Sequence, residues 1–210
     1  MDMRGRFITF EGGEGVGKST HAQVLHDALK ARGIEVELTR EPGGSEGAEA
    51  IRKLLLDGTE DRWGVRAETL LFAAARADHV RRKIQPALAE GRWVICDRYI
   101  DSSRAYQGGA GLISDEDIMM LHNFGSRGLM PDRTILLSVP VSEAYERVAR
   151  RDGLNSDRIA SRSDDYHAEV AMTFLTIAQS EPKRVRVVDS SGTVEEVSAR
   201  IMATLADYLK

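Results

Sequence analysis

The chain has 210 residues, 42% apolar and 30% charged, with a net charge of −4 and a single cysteine. That length is one large domain, long enough to bury a core without staples, and the mild acidity excludes a diffuse basic surface for nucleic acid or an anionic membrane. Cys96 has no second cysteine to pair with, and the longest apolar run, Leu70 to Ala75, is too short to span a membrane. The residues before Phe7 lead into a short apolar run instead of a signal-peptide core, so a cytoplasmic protein without nucleic-acid or membrane partners is expected. Arginine supplies 23 of the 29 cations. Its planar fork suits bidentate phosphate contacts, so its positions matter.

In chain order, Phe7 to Phe10 reads as a strand and Lys18 to Arg32 as a helix, with Gly33 as its C-cap. Val36 to Thr39 is a second strand and Gly47 to Leu56 a helix. Ala67 to Glu90 is a long helix that Pro86 should kink or split. Trp93 to Asp97 is the third strand. Ser114 and Asp117 open another helix in a capping-box pattern. Thr134 to Val139 is a strand, Ser142 to Arg151 a helix, and a polar loop precedes a helix from about Asp164 to Ser180. Val185 to Val188 is the last strand, and Thr193 with Glu196 caps a helix to Leu209.

Strands alternating with helices of this length imply βαβ crossovers. The expected fold is α/β: a five-stranded parallel sheet flanked by helices on both faces, in one domain over residues 1–210. Ligands of such sheets bind beyond the carboxyl ends of the strands, which here means after Phe10, Thr39 and Asp97.

After the first strand comes Gly12-Gly13-Glu14-Gly15-Val16-Gly17-Lys18-Ser19, followed by Thr20. It fits G-x-x-x-x-G-K-[ST], the phosphate loop of nucleotide-binding proteins. Glycines let backbone N–H groups turn inward around a phosphate, and the next helix aims its positive end at it. Lys18 reaches the β- and γ-phosphates of ATP, and Ser19 can ligate Mg²⁺. Asp97, at the end of the third strand, is placed to hold the same metal, and Arg98 beside it faces the loop. Zinc is not expected, because the five histidines are scattered and there is no Cys-x-x-Cys.

Kinase, switch GTPase and hydrolytic ATPase are the competing classes. The guanine-reading Asn-Lys-x-Asp is missing, which weighs against the GTPase. Arg147, Arg150, Arg151 and Arg158 cluster around a glycine-containing loop, the composition of a mobile lid at about 147–162. No catalytic triad is visible, and none is needed if the acceptor is a phosphate monoester that already carries about −1.5 to −2 charge. These features fit a nucleoside monophosphate kinase.

The sequence resembles the thymidylate kinases. The resemblance rests on Phe10-Glu11-Gly12 entering the phosphate loop, Thr39-Arg40-Glu41-Pro42-Gly43-Gly44, Leu71-Phe72-Ala73-Ala74-Ala75-Arg76, Asp97 to Ser103, Ala105-Tyr106-Gln107-Gly108, Asp157-Arg158-Ile159 and Asp165-Tyr166-His167. It implies transfer of the γ-phosphate of ATP to dTMP with Mg²⁺, in dTTP synthesis, by a homodimer. It implies that Phe72 stacks on the thymine, that Arg76 and Gln107 hydrogen-bond the base edge, and that Ser102 and Ser103 lie in the dTMP site. By the same resemblance Arg52 and Arg98 hold the acceptor phosphate, and Glu14 approaches the 3′-hydroxyl. Tyr106 crowds the 2′ position, and Glu41 orders the metal and acceptor phosphate. Pro42 is a candidate for a cis bond. With Glu14 and no arginine in the loop, the chain looks like the lid-arginine form usual in bacteria, with Arg151 and Arg158 as lid cations. Arg104 departs from the family pattern, where an uncharged residue is expected. The alternatives are a kinase for another monophosphate, such as dUMP, and an ATP-hydrolysing switch.

Overall fold

The computed structural model describes residues 5–152 and 158–209. Its five strands are β1 (Phe7–Glu11), β2 (Val36–Arg40), β3 (Trp93–Asp97), β4 (Arg133–Ser138) and β5 (Val185–Asp189), ordered β2-β3-β1-β4-β5. Every pairing is parallel, with Phe10 beside Asp97 on one side and Ile135 on the other. The five-stranded parallel sheet read from the sequence is therefore the fold. Because the strands are parallel, Glu11, Arg40 and Asp97 all end on one edge, which concentrates the site there.

The helices are α1 (Lys18–Lys30), α2 (Glu46–Leu56), α3 (Val65–His79), α4 (Gln85–Ala89), α5 (Ile100–Ser103), α6 (Asp115–Ser126), α7 (Val141–Asp152), α8 (Asp164–Ser180) and α9 (Val194–Ala203). β1 is buried along its whole length, as a central strand covered on both faces must be. Its alternate side chains serve two cores. Ile8 and Phe10 pack with Leu25 and Leu29 of α1 and Val197 and Ile201 of α9. Phe7 packs on the opposite face with Val80, Ile84, Tyr99 and Ile118.

One element sharpens the sequence reading and two differ from it. The long helix is split ahead of Pro86, which stands in the first turn of α4. A π-helical turn over Val80–Ile84 joins α3 to α4 just ahead of it, with the Gln85 N–H reaching back five residues to the Val80 carbonyl. The wider turn accommodates a proline ring that would otherwise crowd a carbonyl and that donates no hydrogen bond. Residues 100–109 are helical, as α5 and a second π turn over Arg104–Gly109, where the sequence suggested no element. The last helix stops at Ala203. The chain beyond it turns so that the Tyr208 hydroxyl donates to the Asp132 carbonyl at 2.9 Å.

Helix ends follow capping chemistry. Ser114 accepts from the Asp117 N–H, Ser163 from the Tyr166 N–H, and Thr193 with Glu196 forms a complete capping box. α9 covers α1, so this cap supports the helix that carries the phosphate loop. Thr193→Ala is expected to cost about 1 kcal/mol. Urea unfolding should show a lower midpoint at unchanged slope, and an unchanged midpoint would remove the cap from the stability account.

Candidate active site

Between β1 and α1 the chain wraps a loop that only glycine can follow. Gly12 has φ +134°, and a Cβ there would sit 2.5 Å from the Leu137 carbonyl oxygen. Gly15 (φ +74°) lies against the Ala144 carbonyl in the same way. Lys18 folds back over the loop and donates to the Gly13 carbonyl at 2.6 Å. Burial, with Arg98 adding to it, lowers the Lys18 ammonium to about 8. Glu14, Asp97 and Glu11 offset this only in part, and an incoming phosphate would add counter-charge.

The loop forms one wall of a cleft of about 680 Å³, a volume suited to a small-molecule ligand. Every expected dTMP-site residue lines it: Arg52, Phe72, Arg76, Arg98, Ser102, Ser103, Tyr106 and Gln107. Glu14, Glu41, Ser19, Thr20 and Asp97 line it as well. The sequence had spread these residues over four segments, and the parallel sheet gathers them.

Asp97 and Arg98 divide the work at the end of β3. The Ser19 hydroxyl donates to Asp97 Oδ2. Asp97 Oδ1 is buried without a hydrogen-bond partner. Arg98 turns into the left-handed region, φ +66°, unusual for a side-chain-bearing residue. That turn aims its guanidinium at the loop: Nη1 donates to the Gly12 carbonyl (3.1 Å) and Ser102 Oγ (3.2 Å), and Nη2 to Glu14 Oε1 (2.5 Å). The Tyr106 hydroxyl also donates to Glu14 Oε1, at 3.1 Å, and Arg98 lies 5.0 Å over the Tyr106 ring. Burial opposes the charge on Arg98, but Glu14 and the neighbouring acids outweigh it and raise its pKa.

Three buried carboxylates brace the cleft from beneath. Glu11 accepts from the Tyr99 N–H (2.8 Å), the Ser102 N–H (3.2 Å) and the Ser102 hydroxyl (2.6 Å). These bonds stand where a capping residue would for α5, which has no side-chain cap of its own. Glu41, before the cis bond to Pro42, is held by Arg76 Nε (2.8 Å) and His79 Nδ1 (3.1 Å). Burial works against its charge, but Arg76 and His79 hold its carboxyl below the ordinary value. Arg76 also donates to Ser103 Oγ (2.9 Å) and the Tyr99 carbonyl (3.2 Å). Glu68, fully buried on α3, accepts from Gln107 Nε2 (3.0 Å), Arg158 Nη2 (2.5 Å) and Arg162 Nη2 (2.6 Å). The sequence reading did not single out Glu68, His79 or Glu11 as site residues. Glu68 falls in an ordinary amphipathic stretch, and its partners lie 39 and 90 residues away, so no local signal marks it.

One expectation needs correction. Arg158, expected over the phosphates as a lid cation, is instead buried between Glu68 and the Leu55 carbonyl (2.9 Å) and does not line the cleft. The fully buried Glu68 carboxylate draws it inward. Of the four clustered arginines, Arg147 on α7 lines the cleft, anchored on Glu143 (2.5 Å) and the Ser190 carbonyl (2.9 Å). The side chains of Arg150 and Arg151, and residues 153–157 of the expected lid, lie outside the described residues. Arg104 turns away from the cleft into a largely buried ion-pair group, contacting Asp101 (3.1 Å), Asp115 (2.7 Å) and Glu181 (2.6 Å). Its departure from the family pattern therefore does not reach the cleft lining. Phe72 lines the cleft and also packs against the Tyr106–Phe174 cluster, so its ring is both wall and core.

A parallel sheet with a glycine-lined phosphate loop after β1 and a carboxylate facing the loop's serine after β3 defines a P-loop NTPase. Comparison with known proteins narrows the class. The thymidylate kinase family model matches residues 10–201. A thymidylate kinase of Rhizorhabdus wittichii is 58% identical, covering 99% of this chain and 100% of that protein. One from Afipia carboxidovorans is 49% identical over 98% and 91%. The crystal structure of thymidylate kinase from Ehrlichia chaffeensis superposes with a TM-score of 0.77 at 30% identity, covering 96% of this chain and 99% of that one. The chain belongs to the thymidylate kinase family.

Glu11 gives this site a pH signature. Burial, with Asp101 adding to it, pushes its carboxyl from 4.5 up to about 8, against the hydrogen bonds from Ser102 and Tyr99. Between those values the folded protein holds a proton that the unfolded chain has released, so this group's contribution to stability falls as pH rises through the window. Glu11→Gln mimics the protonated form and should unfold with a flatter profile than the parent from about pH 5 to 8. Parallel profiles would mean that Glu11 is ionised in the fold.

Proposed function

We infer that the protein transfers the γ-phosphoryl group of ATP to dTMP, giving dTDP and ADP. The observation that carries this reading is the layout of the cleft. A phosphate loop faces a half-buried arginine, and beyond that arginine lie an aromatic ring and a pair of amide and guanidinium groups suited to a base. ATP is the donor, held by the loop from Gly12 to Thr20, with Lys18 on its terminal phosphates.

A magnesium ion fits the groups present. The Ser19 hydroxyl and the Asp97 carboxylate are hard oxygen donors side by side, and the unpartnered Oδ1 is a buried acceptor awaiting a cation or its water. Among the described residues no cluster of three His, Cys, Asp or Glu side chains could hold a metal, which suits an ion completed by phosphates and water. When bound, it neutralises charge on the donor phosphates.

The acceptor phosphate competes with Glu14 for Arg98 and displaces it, and Arg52 adds a second cation. Arg52 already rests on the Pro42 carbonyl (2.7 Å) at the cleft wall. Glu14, turned from Arg98, accepts from the sugar 3′-hydroxyl. Tyr106, held by Arg98 and Glu14, fills the space beside the sugar and disfavours a 2′-hydroxyl. Phe72 stacks on the thymine, and Arg76 and Gln107 read its edge, with Ser103 positioning Arg76. No side chain has to remove a proton, because the acceptor is already a dianion near neutral pH. Catalysis is positioning and charge neutralisation by Lys18, Arg98, Mg²⁺ and an arginine from a lid at about 147–162, for which Arg147 in the cleft gives support.

A homodimer and a cytoplasmic location belong to the same reading. Leu70 on α3 and Met120 and Phe124 on the adjoining α6 are large exposed apolar side chains on neighbouring helices, a surface suited to a second copy. Cys96 is free and buried, as in a reducing compartment.

The test is an ATP/Mg²⁺ assay against a panel of nucleoside monophosphates. The expected result is phosphorylation of dTMP well ahead of UMP and CMP. Equal rates would defeat the acceptor assignment, and ATP hydrolysis indifferent to any monophosphate would favour a switch. Arg98→Ala should lower kcat/KM for dTMP at least a hundredfold, a loss of about 2.7 kcal/mol in transition-state binding, with the fold retained by circular dichroism. Near-normal turnover would remove Arg98 from the mechanism.

A further inference from the structure

Gln107 and Arg76 line the same cleft, and each has a fixed inward half. On Arg76, Nε is committed to Glu41 and Nη2 to Ser103 and the Tyr99 carbonyl, so Nη1 is the donor left for a ligand. On Gln107, one end of the amide meets Glu68 Oε1 at 3.0 Å. A carboxylate can only accept, so the amide end facing Glu68 has to be the NH₂ group. That leaves the Gln107 carbonyl oxygen, an acceptor, for the ligand. Glu68 itself has no freedom to turn, because its other oxygen is clamped by Arg158 (2.5 Å) and Arg162 (2.6 Å).

We propose that Glu68 is a positioning residue for base selection: by orienting the Gln107 amide it presents an acceptor beside the Arg76 donor, a pair complementary to the N3–H and C4=O of an imide base and mismatched to cytosine. The argument rests on the dTMP reading of the cleft given above. Cytosine offers an acceptor at N3 and a donor at N4, so both groups would meet their own kind. A site built to hydrogen-bond one pattern rejects the inverted one strongly, because its polar groups are left unpaired. Glu68 touches no ligand in this scheme and acts only through Gln107. The two arginines explain why it can do so, since they hold a buried charge in place and fix which oxygen faces Gln107.

Glu68→Gln tests this with almost no change of shape. Arg158 and Arg162 still require an acceptor, so the new amide must give them its oxygen and turn its NH₂ toward Gln107. Gln107 then has to rotate, sending its own NH₂ into the cleft. The expected result is a fall of at least tenfold in the ratio of kcat/KM for dTMP to that for dCMP, with dUMP following dTMP. In a Gln107→Met background the same change should leave the ratio unaltered, since the group it acts through is gone. A uniform loss for all three acceptors, or independent effects of the two substitutions, would make Glu68 a brace of the fold and overturn the proposal.

An NMR measurement on the unmodified enzyme covers the case in which Glu68→Gln does not fold. With ¹⁵N-labelled glutamine side chains, and Gln107 assigned by its loss in Gln107→Met, one Gln107 amide proton should be protected from exchange both free and with dTMP bound. Exchange at the solvent rate in the dTMP complex would overturn the proposal. If the parent enzyme phosphorylates no imide monophosphate, the functional reading fails instead, and the two failures are distinct.

Discussion

The cleft depends on one half-buried arginine held against one carboxylate. β3 ends at Asp97, and the left-handed turn at Arg98 separates two functions within two residues: a carboxylate aimed at Ser19 and a guanidinium aimed at the phosphate loop. A left-handed backbone costs a side-chain-bearing residue about 1–2 kcal/mol. Here the Gly12 carbonyl, Ser102 and Glu14 all accept from the guanidinium that the turn delivers, and they offset that strain. The Arg98–Glu14 pair also explains how such a charge stays half-buried without a ligand. Glu14 takes the place of an anion, and an incoming phosphate exchanges for it so that the guanidinium keeps a counter-charge.

Beneath the cleft, Glu41 and Glu68 repeat the device with Arg76, Arg158 and Arg162, and Glu11 braces through hydrogen bonds alone. Glu11, Glu41 and Glu68 are almost fully buried, and each holds residues that line the wall above it. Glu11 secures the start of α5, Glu41 orients Arg76, and Glu68 orients Gln107. Buried ion pairs contribute little net stability against well-packed apolar groups, but they dictate direction. A chain of net charge −4 can in this way present a locally cationic cleft, with the surplus acid distributed elsewhere on the molecule and in these supports.

The parts of this arrangement that were legible in the sequence are those carried by local pattern. The phosphate loop has a fixed spacing, β3 ends in Asp97-Arg98, and the strands are short apolar runs between long helices, so sheet and loop were read correctly. Residues 100–109 were not read as helix because their stability comes from outside the segment, through the Glu11 carboxylate bonded to the Tyr99 and Ser102 amides. Pro86 marks the split in the long helix, but sequence shows only the missing N–H and not the widened turn that accommodates it. Arg158 was assigned to the lid for its neighbours in sequence, whereas its position follows from Glu68, 90 residues away. Arg104 was singled out by the family comparison, and only its contacts with Asp101, Asp115 and Glu181 show that it faces away from the base.

The central claim is that Arg98 receives the acceptor phosphate as a dianion, which is why no general base is present. Its most direct test is a ³¹P NMR pH titration of dTMP bound to the enzyme without ATP. A free phosphate monoester takes up its second proton near pH 6. Held by Arg98 and Arg52, the bound phosphate should remain dianionic well below that pH, with its transition moved down by at least one unit. A bound phosphate that titrates like free dTMP would contradict the account, because the cations assigned to it would then not be touching it.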